Sequence, residues 1–244
     1  MTPVVLLHGW GMHSGVWSAT ADGLGERALP VDMPGYGGRA AISPYDLPHL
    51  AEVIAADLPP VFDLCGWSLG GQVALTLAQL MPERVRRLVL VGVNPCFTLR
   101  PDWSYGIAAD VLIQFGNDLA LHYESTLKRF LALQVRGDDA ARAVLARLRS
   151  LLFARGQPDN VVLQAGLSIL LQADLRATAR QVATPTLIMH GNQDQLAPVA
   201  AAEWLANAMQ DAQLQVIHSA AHAPFLSHRN DFEIAVRNFL EVMP

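Results

Sequence analysis

The residues best suited to do chemistry lie at positions 66–70, where the sequence GWSLG matches the pattern G-x-S-x-G. A predicted strand precedes this run and a predicted helix follows it, which is the context in which the motif forms a tight nucleophile elbow. Larger flanking side chains would collide in such a turn, and Gly71 lets the helix pack closely. The pattern therefore predicts that Ser68 is a nucleophile presented above a sheet. An ordinary tight turn with a surface serine is the alternative.

A serine hydroxyl is a weak nucleophile until a base removes its proton, and an acid must hold that base in the right tautomer. Around an elbow of this kind, the acid and then the histidine follow the serine on loops after late strands. Of the eight histidines, His222 lies in a loop of small residues just after the last predicted strand. Asp194 lies in the loop after the preceding strand. We therefore predict His222 as the general base and Asp194 as its orienting acid.

Other residues of the same types compete for these two roles. His218 is at the end of the last predicted strand and His228 opens the next helix, so structural roles are favoured for both. Asp174 and Asp211 are the alternative acids, but neither directly follows a predicted strand.

Negative charge develops on a carbonyl oxygen when a serine attacks it, and preorganised N–H donors must meet that charge. The expected donors are the backbone N–H of Leu69, directly after the nucleophile, and that of Trp10 in the loop after the first predicted strand. His8, in the same loop, is interpreted as a hydrogen-bonding brace rather than a catalyst.

The elements that position these residues follow an α/β pattern. Short β-branched apolar runs alternate with longer amphipathic segments, as in parallel strands joined by crossover helices. Strands are predicted at residues 4–7, 28–32, 61–67, 85–93, 186–190 and 214–217, and helices at 50–58, 69–81 and 231–242. The predicted fold class is α/β, with a mostly parallel, doubly wound sheet.

A long segment in the middle of the chain departs from this alternation. Residues 95–180 contain almost no β-type runs, but leucines recur at helical spacing, as at Leu127 and Leu131. We predict that residues 95–180 form an inserted all-helical cap. Residues 1–94 and 181–244 then form the core.

Composition limits the class of protein. A chain of 244 residues with 52% hydrophobic and 16% charged residues can bury one sizeable core. Its formal charge of -5 gives no reason to expect nucleic acid as a partner. Cys65 and Cys96 lack the spacing of a metal site or of a disulfide-rich protein. The chain does not open with an export signal. Its apolar runs are all shorter than the roughly 20 residues that a membrane span needs. We expect a soluble cytoplasmic monomer without a membrane partner.

Metal and cofactor signals are weak. His218 and His222 are four residues apart but on a strand end and a loop, and no H-E-x-x-H motif occurs. The run GYGG at 35–38 has no Walker lysine and is interpreted as a turn. We predict neither a metal nor a cofactor.

Six segments together resemble one family. They are LLHGWGM at 6–12, GWSLGG at 66–71, PERV at 82–85, PCF at 95–97, RFLALQ at 129–134 and AAHAPFLSH at 220–228. Through nearly its whole length, the chain resembles the pimeloyl-acyl carrier protein methyl ester esterases of biotin biosynthesis, within the α/β-hydrolase superfamily. RFLALQ and PCF are narrower signals than the core motifs. The family usually begins with an antiparallel hairpin, whereas this chain opens almost directly at the strand before His8.

The resemblance implies hydrolysis of the methyl ester at the far end of a pimeloyl chain carried on acyl carrier protein, with release of methanol. Ser68, Asp194 and His222 match the family's triad, and Trp10 and Leu69 match its carbonyl-binding positions. The resemblance further implies that the substrate is lined by Phe130, Leu131, Ala132, Leu133 and Gln134. Plain helix core is the alternative role for the apolar members of that segment.

Charge is distributed unevenly along the chain. Residues 128–155 carry seven basic and two acidic residues, a local balance of +5, while the remainder carries ten basic and twenty acidic ones. An acidic carrier protein would dock on such a basic cap, because complementary charge steers encounter. We predict docking contacts from Arg142 and Arg149, which share a helix face at a spacing of seven, and from Arg129 beside the substrate-lining segment. A solvated helix face is the alternative.

Two further classes of function stay open. A general short-chain carboxylesterase or a carbon-carbon bond hydrolase of the same fold would carry the same triad. An inactive fold used as a binding module is the other class, although such proteins have usually lost a triad member.

Overall fold

The computed structural model describes residues 1–241, so the predicted helix end at Val242 lies outside the described residues. Six strands form one sheet in the order β2-β1-β3-β4-β5-β6, and every pair of neighbours is parallel. The strands are β1 (Val4–Leu7), β2 (Ala28–Val31), β3 (Phe62–Trp67), β4 (Val85–Val91), β5 (Thr186–Gly191) and β6 (Ala212–Ile217). The predicted α/β class with a mostly parallel sheet is confirmed.

Strand composition follows position in the sheet. Every residue of β1, β3 and β5 is buried, because these strands have neighbours on both sides and helices on both faces. In β6, at the edge, Gln213 and Gln215 are exposed and alternate with less exposed residues. The continuous apolar runs that predicted the strands are thus the mark of a covered parallel sheet.

The order of the strands determines where a site can form. From β1 the chain moves outward to β2, then returns across β1 to β3 and continues in the opposite direction. Ligands of open parallel sheets bind outside the carboxyl ends of the strands at such a switch point. The loop after β1 and the turn after β3 meet here, and they carry Trp10 and Ser68.

Eleven α-helices are present within residues 1–241, besides two short 3₁₀ helices at Ser14–Trp17 and Gly25–Arg27. They are α1 (Ser18–Leu24), α2 (Leu47–Ala56), α3 (Leu69–Leu80), α4 (Ala109–Leu121), α5 (Tyr123–Gln134), α6 (Ala141–Leu151), α7 (Asn160–Gln172), α8 (Arg176–Gln181), α9 (Val199–Ala208), α10 (Pro224–Ser227) and α11 (Arg229–Glu241). Among these helices, none combines the length and apolar character needed to cross a membrane.

Most of the predicted boundaries shift by one to three residues in the structure, and two of these shifts have a clear local cause. Helix α2 begins at Leu47 rather than at residue 50, because the Asp46 side chain caps it by accepting the His49 N–H at 3.0 Å. Strand β4 ends at Val91 rather than at residue 93, because Gly92 adopts a φ of 57° that no strand continues.

The helices between β4 and β5 form the segment that we call the cap, residues 95–180. Helix α4 packs against α5 and α7, whereas α8 lies at the junction and packs against α3 and α9. Polar contacts attach the cap to the core at the 3₁₀ helix Ser14–Trp17 after β1: Arg155 Nη1 donates to Ser14 Oγ at 2.7 Å and pairs with Asp32 at 3.2 Å. The His13 ring nitrogen Nε2 lies 2.8 Å from the Leu151 carbonyl oxygen.

Candidate active site

Ser68 occupies a strained turn between β3 and α3. Its φ of 55° and ψ of -120° lie outside the regions that non-glycine residues favour, at a cost on the order of 1–3 kcal/mol. The turn is held because the Ser68 N–H donates to Val91 O at 3.0 Å and the Ser68 carbonyl accepts from Gly71 and Gln72. Ser68 is partly exposed, whereas the residues on both sides of it are buried. The strained turn thus brings the Ser68 hydroxyl toward the surface from an otherwise buried segment.

The glycines on each side of Ser68 permit close backbone contact. A Cβ at Gly66 would overlap the carbonyl oxygen of Gly70, and a Cβ at Gly70 would overlap the carbonyl oxygen of His8. Helix α3 therefore begins directly against the end of β1. This contact brings the loop after β1 next to Ser68.

Asp194 lies in the turn after β5 and is buried. Its Oδ1 accepts the backbone N–H groups of Leu196 and Ala197, both at 2.9 Å, and its Oδ2 lies 2.7 Å from His222 Nδ1. Burial favours a raised pKa for the Asp194 carboxyl, but the neighbouring His222 and the other donors outweigh burial and lower that pKa. The carboxylate is therefore ionised and acts only as an acceptor.

His222 is fixed through its backbone as well as its ring. Its N–H donates to the Gln134 carbonyl oxygen at 3.0 Å, and its carbonyl oxygen accepts from Trp67 Nε1 at 2.8 Å. Because the Asp194 carboxylate can only accept, the hydrogen of the neutral ring lies on Nδ1, and Nε2 is left as an acceptor. Trp67 directly precedes Ser68, so the ring lies beside the elbow. This arrangement can remove a proton from a nearby hydroxyl.

A second histidine, His190, contacts the same carboxylate. Its Nε2 lies 3.5 Å from Asp194 Oδ2 and 2.6 Å from the Ala197 carbonyl oxygen. Burial lowers the pKa of the His190 ring, so it is neutral and donates from Nε2. The sequence reasoning did not single out His190, because it lies within the run that predicted β5.

Two unpaired backbone N–H groups mark a candidate site for the negative charge of an oxyanion. Trp10 and Leu69 are almost completely buried, yet within residues 1–241 neither backbone N–H donates a hydrogen bond to another protein group. Buried backbone donors are paired in the great majority of cases. Unpaired donors at the ends of β1 and β3 are what a substrate oxyanion would need.

An apolar cavity of about 190 Å³ lies between the cap and the core. Its walls come mainly from α4, α5, α7 and the loop after β5: Phe97, Ile107, Val111, Leu112, Phe115, Phe130, Leu133, Leu167, Leu170, Gln195 and Leu196. The Trp10 ring contacts Phe115 and Phe130 edge to face, with centroids 5.6 and 5.0 Å apart. The cavity therefore adjoins both the loop of Asp194 and the residue that carries one unpaired N–H.

Comparison with known proteins gives the family. Residues 2–229 match the family model described as alpha/beta hydrolase fold. A Nitrosomonas europaea protein named pimeloyl-acyl carrier protein methyl ester esterase is 46% identical over 232 residues, 94% of this chain and 92% of that relative. A Yersinia pseudotuberculosis protein of the same name is 41% identical over 240 residues, 98% of this chain and 93% of that relative. This chain belongs to that esterase family within the α/β-hydrolases.

Solved structures agree with the assignment to the α/β-hydrolases. An esterase from Exiguobacterium antarcticum superposes with a TM-score of 0.90 and 26% identity, covering 99% of this chain and 92% of the other. An enol-lactonase from Burkholderia xenovorans, at 22% identity and a TM-score of 0.86, covers the same shares and shows the fold alone.

The predicted substrate-lining segment of this hydrolase is divided by its helical periodicity. Phe130 and Leu133 line the cavity, whereas Leu131 and Gln134 are buried outside its lining and Ala132 is exposed. The Gln134 backbone carbonyl accepts the His222 N–H. The structure therefore brings two of the five side chains to the cavity.

The competing residues lie elsewhere. Asp174 pairs with Arg176 at 2.7 Å on the surface, and Asp211 is exposed in the turn before β6. His218 is exposed, and His228 lies 3.6 Å from Asp139. Among the described residues, neither of these two histidines hydrogen-bonds to Asp194; His218 lies near Asn192, and His228 contacts Ser227.

His8 has the bracing contacts expected of it. Its Nδ1 lies 2.9 Å from the Gly9 carbonyl oxygen, and its Nε2 accepts the Met33 N–H at 3.0 Å. Complete burial lowers the pKa of the His8 ring to about 4. His8 is therefore neutral near pH 7 and ties the loop after β1 to the loop after β2.

The basic residues at 128–155 in the cap differ in whether they have an acidic partner. Arg129 pairs with Asp118 at 2.6 Å, and Lys128 and Arg155 also have acidic partners. On α6, Arg142 and Arg149 are exposed, and within residues 1–241 neither guanidinium has a hydrogen bond or an ion pair. A charge count along the sequence could not reveal this difference, because it contains no information on partners.

One group of side chains in the described residues could hold a cation by distance alone: Asp138, Asp139 and His228. Both carboxylate oxygens of Asp138, however, already accept backbone N–H groups, from Ala140 and Ala221. Those hydrogens oppose a positive ion at the same oxygens. We therefore assign no metal to this group.

Proposed function

We propose that this protein is a serine carboxylesterase that hydrolyses the methyl ester of pimeloyl-acyl carrier protein in biotin biosynthesis. The observation that carries the proposal is the 2.7 Å contact between His222 Nδ1 and Asp194 Oδ2 beside the strained turn of Ser68. Membership of the esterase family supports the choice of substrate.

In the first half of the reaction, His222 Nε2 takes the proton of Ser68 Oγ as this oxygen attacks the ester carbonyl carbon. The N–H groups of Trp10 and Leu69 stabilise the oxyanion of the tetrahedral intermediate. When the intermediate collapses, the bond to the methoxy oxygen breaks and His222 returns the proton, so that methanol leaves and an acyl-enzyme remains.

In the second half, water replaces methanol. His222 removes a proton from the water as its oxygen attacks the acyl carbonyl, and the same N–H groups stabilise the second oxyanion. Collapse breaks the bond to Ser68 Oγ, which regains its proton from His222. The products are free enzyme and a carboxylic acid at the end of the pimeloyl chain.

The apolar cavity is proposed as the binding site of the acyl chain. Burying each methylene contributes about 0.8 kcal/mol, and the lining offers almost only apolar side chains. Val111 and Leu133 belong to the lining yet are 58% and 40% exposed, so the cavity reaches the surface between α4 and α5. A chain attached to a carrier can enter there while the carrier stays outside.

The carrier protein is proposed to dock on the cap through its acidic surface. Arg142 and Arg149 are the strongest candidates, because their charge is not neutralised by neighbours among the described residues. Arg129, which pairs with Asp118, would have to exchange that partner for the carrier. We expect it to contribute less.

We further propose that the enzyme is a monomer in the cytoplasm. Cys65 and Cys96 are free and buried, which suits a reducing compartment. Gel filtration with light scattering at working concentrations tests the oligomeric state, and a stable dimer would contradict this part of the proposal.

The test of the substrate compares pimeloyl-acyl carrier protein methyl ester with monomethyl pimelate at equal concentrations. The proposal predicts a much larger kcat/KM for the carrier-bound ester. Equal kcat/KM values for both, together with high activity on simple aryl esters, would instead indicate a general short-chain carboxylesterase. The esterase from Exiguobacterium antarcticum, with its similar fold, makes this the second candidate.

A further inference from the structure

A buried aspartate of the cap contacts the loop that carries His222. Asp138 follows α5 and is only 8% exposed. Its Oδ2 accepts the N–H of Ala221, the residue before His222, at 2.8 Å. Its Oδ1 accepts the N–H of Ala140 at 2.8 Å, within its own turn. One carboxylate thus joins the start of α6 to the histidine loop across 83 positions of sequence.

The histidine loop needs external support, because residues 218–223 form no helix or strand. Ser219 has a φ of 60°, which costs conformational free energy in a residue with a side chain. The Ser219 N–H donates to Asn192 Oδ1 at 2.8 Å, and the Ser219 carbonyl oxygen accepts the Asp139 N–H at 3.0 Å. The core therefore supports the loop on one side and the cap supports it on the other.

The side chain of Asp138 and two backbone groups make up the support from the cap. The Gln134 carbonyl oxygen accepts the His222 N–H, and the Asp139 N–H donates to Ser219. Because the Asp138 carboxylate contacts the residue directly before His222, its loss would leave a buried N–H unpaired next to the base. The loop would then shift or recruit water at this position.

We propose that Asp138 is a positioning residue for His222, an inference that rests on the proposed serine esterase chemistry. Asp194 orients the ring of His222, whereas Asp138 sets where the backbone places that ring relative to Ser68. A displacement of about 1 Å in a reacting group can lower a rate by about 10²-fold. Asp138 therefore acts on turnover without touching the substrate.

The test uses two variants of Asp138, of which one weakens either of its hydrogen bonds and the other removes the bond to Ala221 alone. Asp138→Asn keeps the shape but offers one acceptor oxygen and presents an amide donor to one of the two N–H groups. Asp138→Ser keeps a short oxygen that can cap the Ala140 N–H but cannot reach Ala221. Asp159→Asn is the matched control, because Asp159 is also a cap aspartate whose carboxylate accepts a backbone N–H, at the start of α7.

Each variant is assayed on a small aryl ester well below its melting temperature, for kcat, KM and the rate of reaction with an aryl phosphonate that modifies the active serine. We expect both Asp138 variants to lose about 10- to 100-fold in kcat and in phosphonylation rate. KM should change by less than about threefold, and Asp159→Asn should match the wild type.

A lowered melting temperature with unchanged kcat and phosphonylation rate in both Asp138 variants would overturn the inference and leave Asp138 a purely structural residue. Ser68→Ala distinguishes this failure from failure of the proposed function. If Ser68→Ala is inactive while both Asp138 variants equal the wild type in kcat and phosphonylation rate, only the positioning role is wrong. If Ser68→Ala stays active, the serine chemistry itself is wrong.

Discussion

His222 Nδ1 and Asp194 Oδ2 lie 2.7 Å apart, and both side chains are almost completely buried. The remaining oxygen of Asp194 accepts two backbone N–H groups. The carboxylate therefore cannot turn away from the ring without leaving two buried donors unpaired. The orientation of His222 is thus part of the folded core rather than a property of a mobile surface side chain.

Replacing the Asp194 carboxylate by an amide should therefore lower kcat. In Asp194→Asn, the amide oxygen remains with the backbone donors and the NH₂ group faces the ring, which favours the wrong tautomer. We expect kcat for ester hydrolysis to fall by about 10⁴-fold, by analogy with the serine proteases. Asp174→Asn and Asp211→Asn are the controls and should keep wild-type kcat. A large loss in either control, with little loss in Asp194→Asn, would reassign the acid.

The stability of the fold should depend on pH through His8. Its pKa is about 4 when folded and about 6.5 when exposed, so the unfolded state binds the extra proton in this window. Lowering the pH from 6.5 to 4 should therefore remove about 3 kcal/mol of unfolding free energy at this residue. Urea unfolding of the wild type and of His8→Asn at several pH values measures this change in the free energy of unfolding. The control, His122→Gln, alters an exposed histidine and should keep the pH dependence of the wild type. A pH dependence in His8→Asn as steep as that of the wild type would contradict this account.

Charge reversal on α6 should weaken docking of the carrier protein without affecting the chemistry at Ser68. Arg142→Glu together with Arg149→Glu should raise KM for the carrier-bound ester, more at low than at high salt, because salt screens exposed charges. The matched pair Arg142→Gln and Arg149→Gln removes charge without reversing it and should give a smaller effect. Kinetics with a small aryl ester should be unchanged in both. A parallel loss on both substrates would mean that these arginines hold the cap together.

Occupancy of the cavity should control selectivity for the acyl chain. Leu133→Trp places a larger side chain at the partly exposed end of the cavity, so KM for the carrier-bound pimeloyl ester should rise by roughly tenfold, equivalent to about 1.4 kcal/mol. Acetate esters, which need less of the cavity, should be affected far less. Steady-state kinetics on a series of esters of increasing chain length measures the difference. The same change in KM for every length would place the acyl chain elsewhere.

The fold and the elbow could be predicted because their signals are local. Apolar runs at residues 4–7 and 61–67 mark buried parallel strands, and the glycines around Ser68 mark a turn too tight for side chains. The 2.7 Å approach of Asp194 to His222 agrees with their positions in the sequence, because they follow β5 and β6, parallel neighbours whose carboxyl ends lie at one edge of the sheet. These signals need no knowledge of distant contacts.

The remaining features depend on contacts that no local pattern contains. Asp138 meets Ala221 across 83 positions, and the contact between His190 and Asp194 depends on the shape of the turn after β5. In the same way, the charge count of the cap could not show that Arg129 already has an acidic partner while Arg142 has none among the described residues. Such properties follow from tertiary packing.

The most direct test of the central claim is the rate of methanol release from pimeloyl-acyl carrier protein methyl ester by wild-type protein and by Ser68→Ala. The wild type should turn over, and the variant should lose several orders of magnitude in kcat. The variant should keep its circular dichroism spectrum, because the partly exposed hydroxyl contributes little to packing. A folded Ser68→Ala protein that retains more than about a tenth of the wild-type rate would contradict the assignment of Ser68 as the nucleophile.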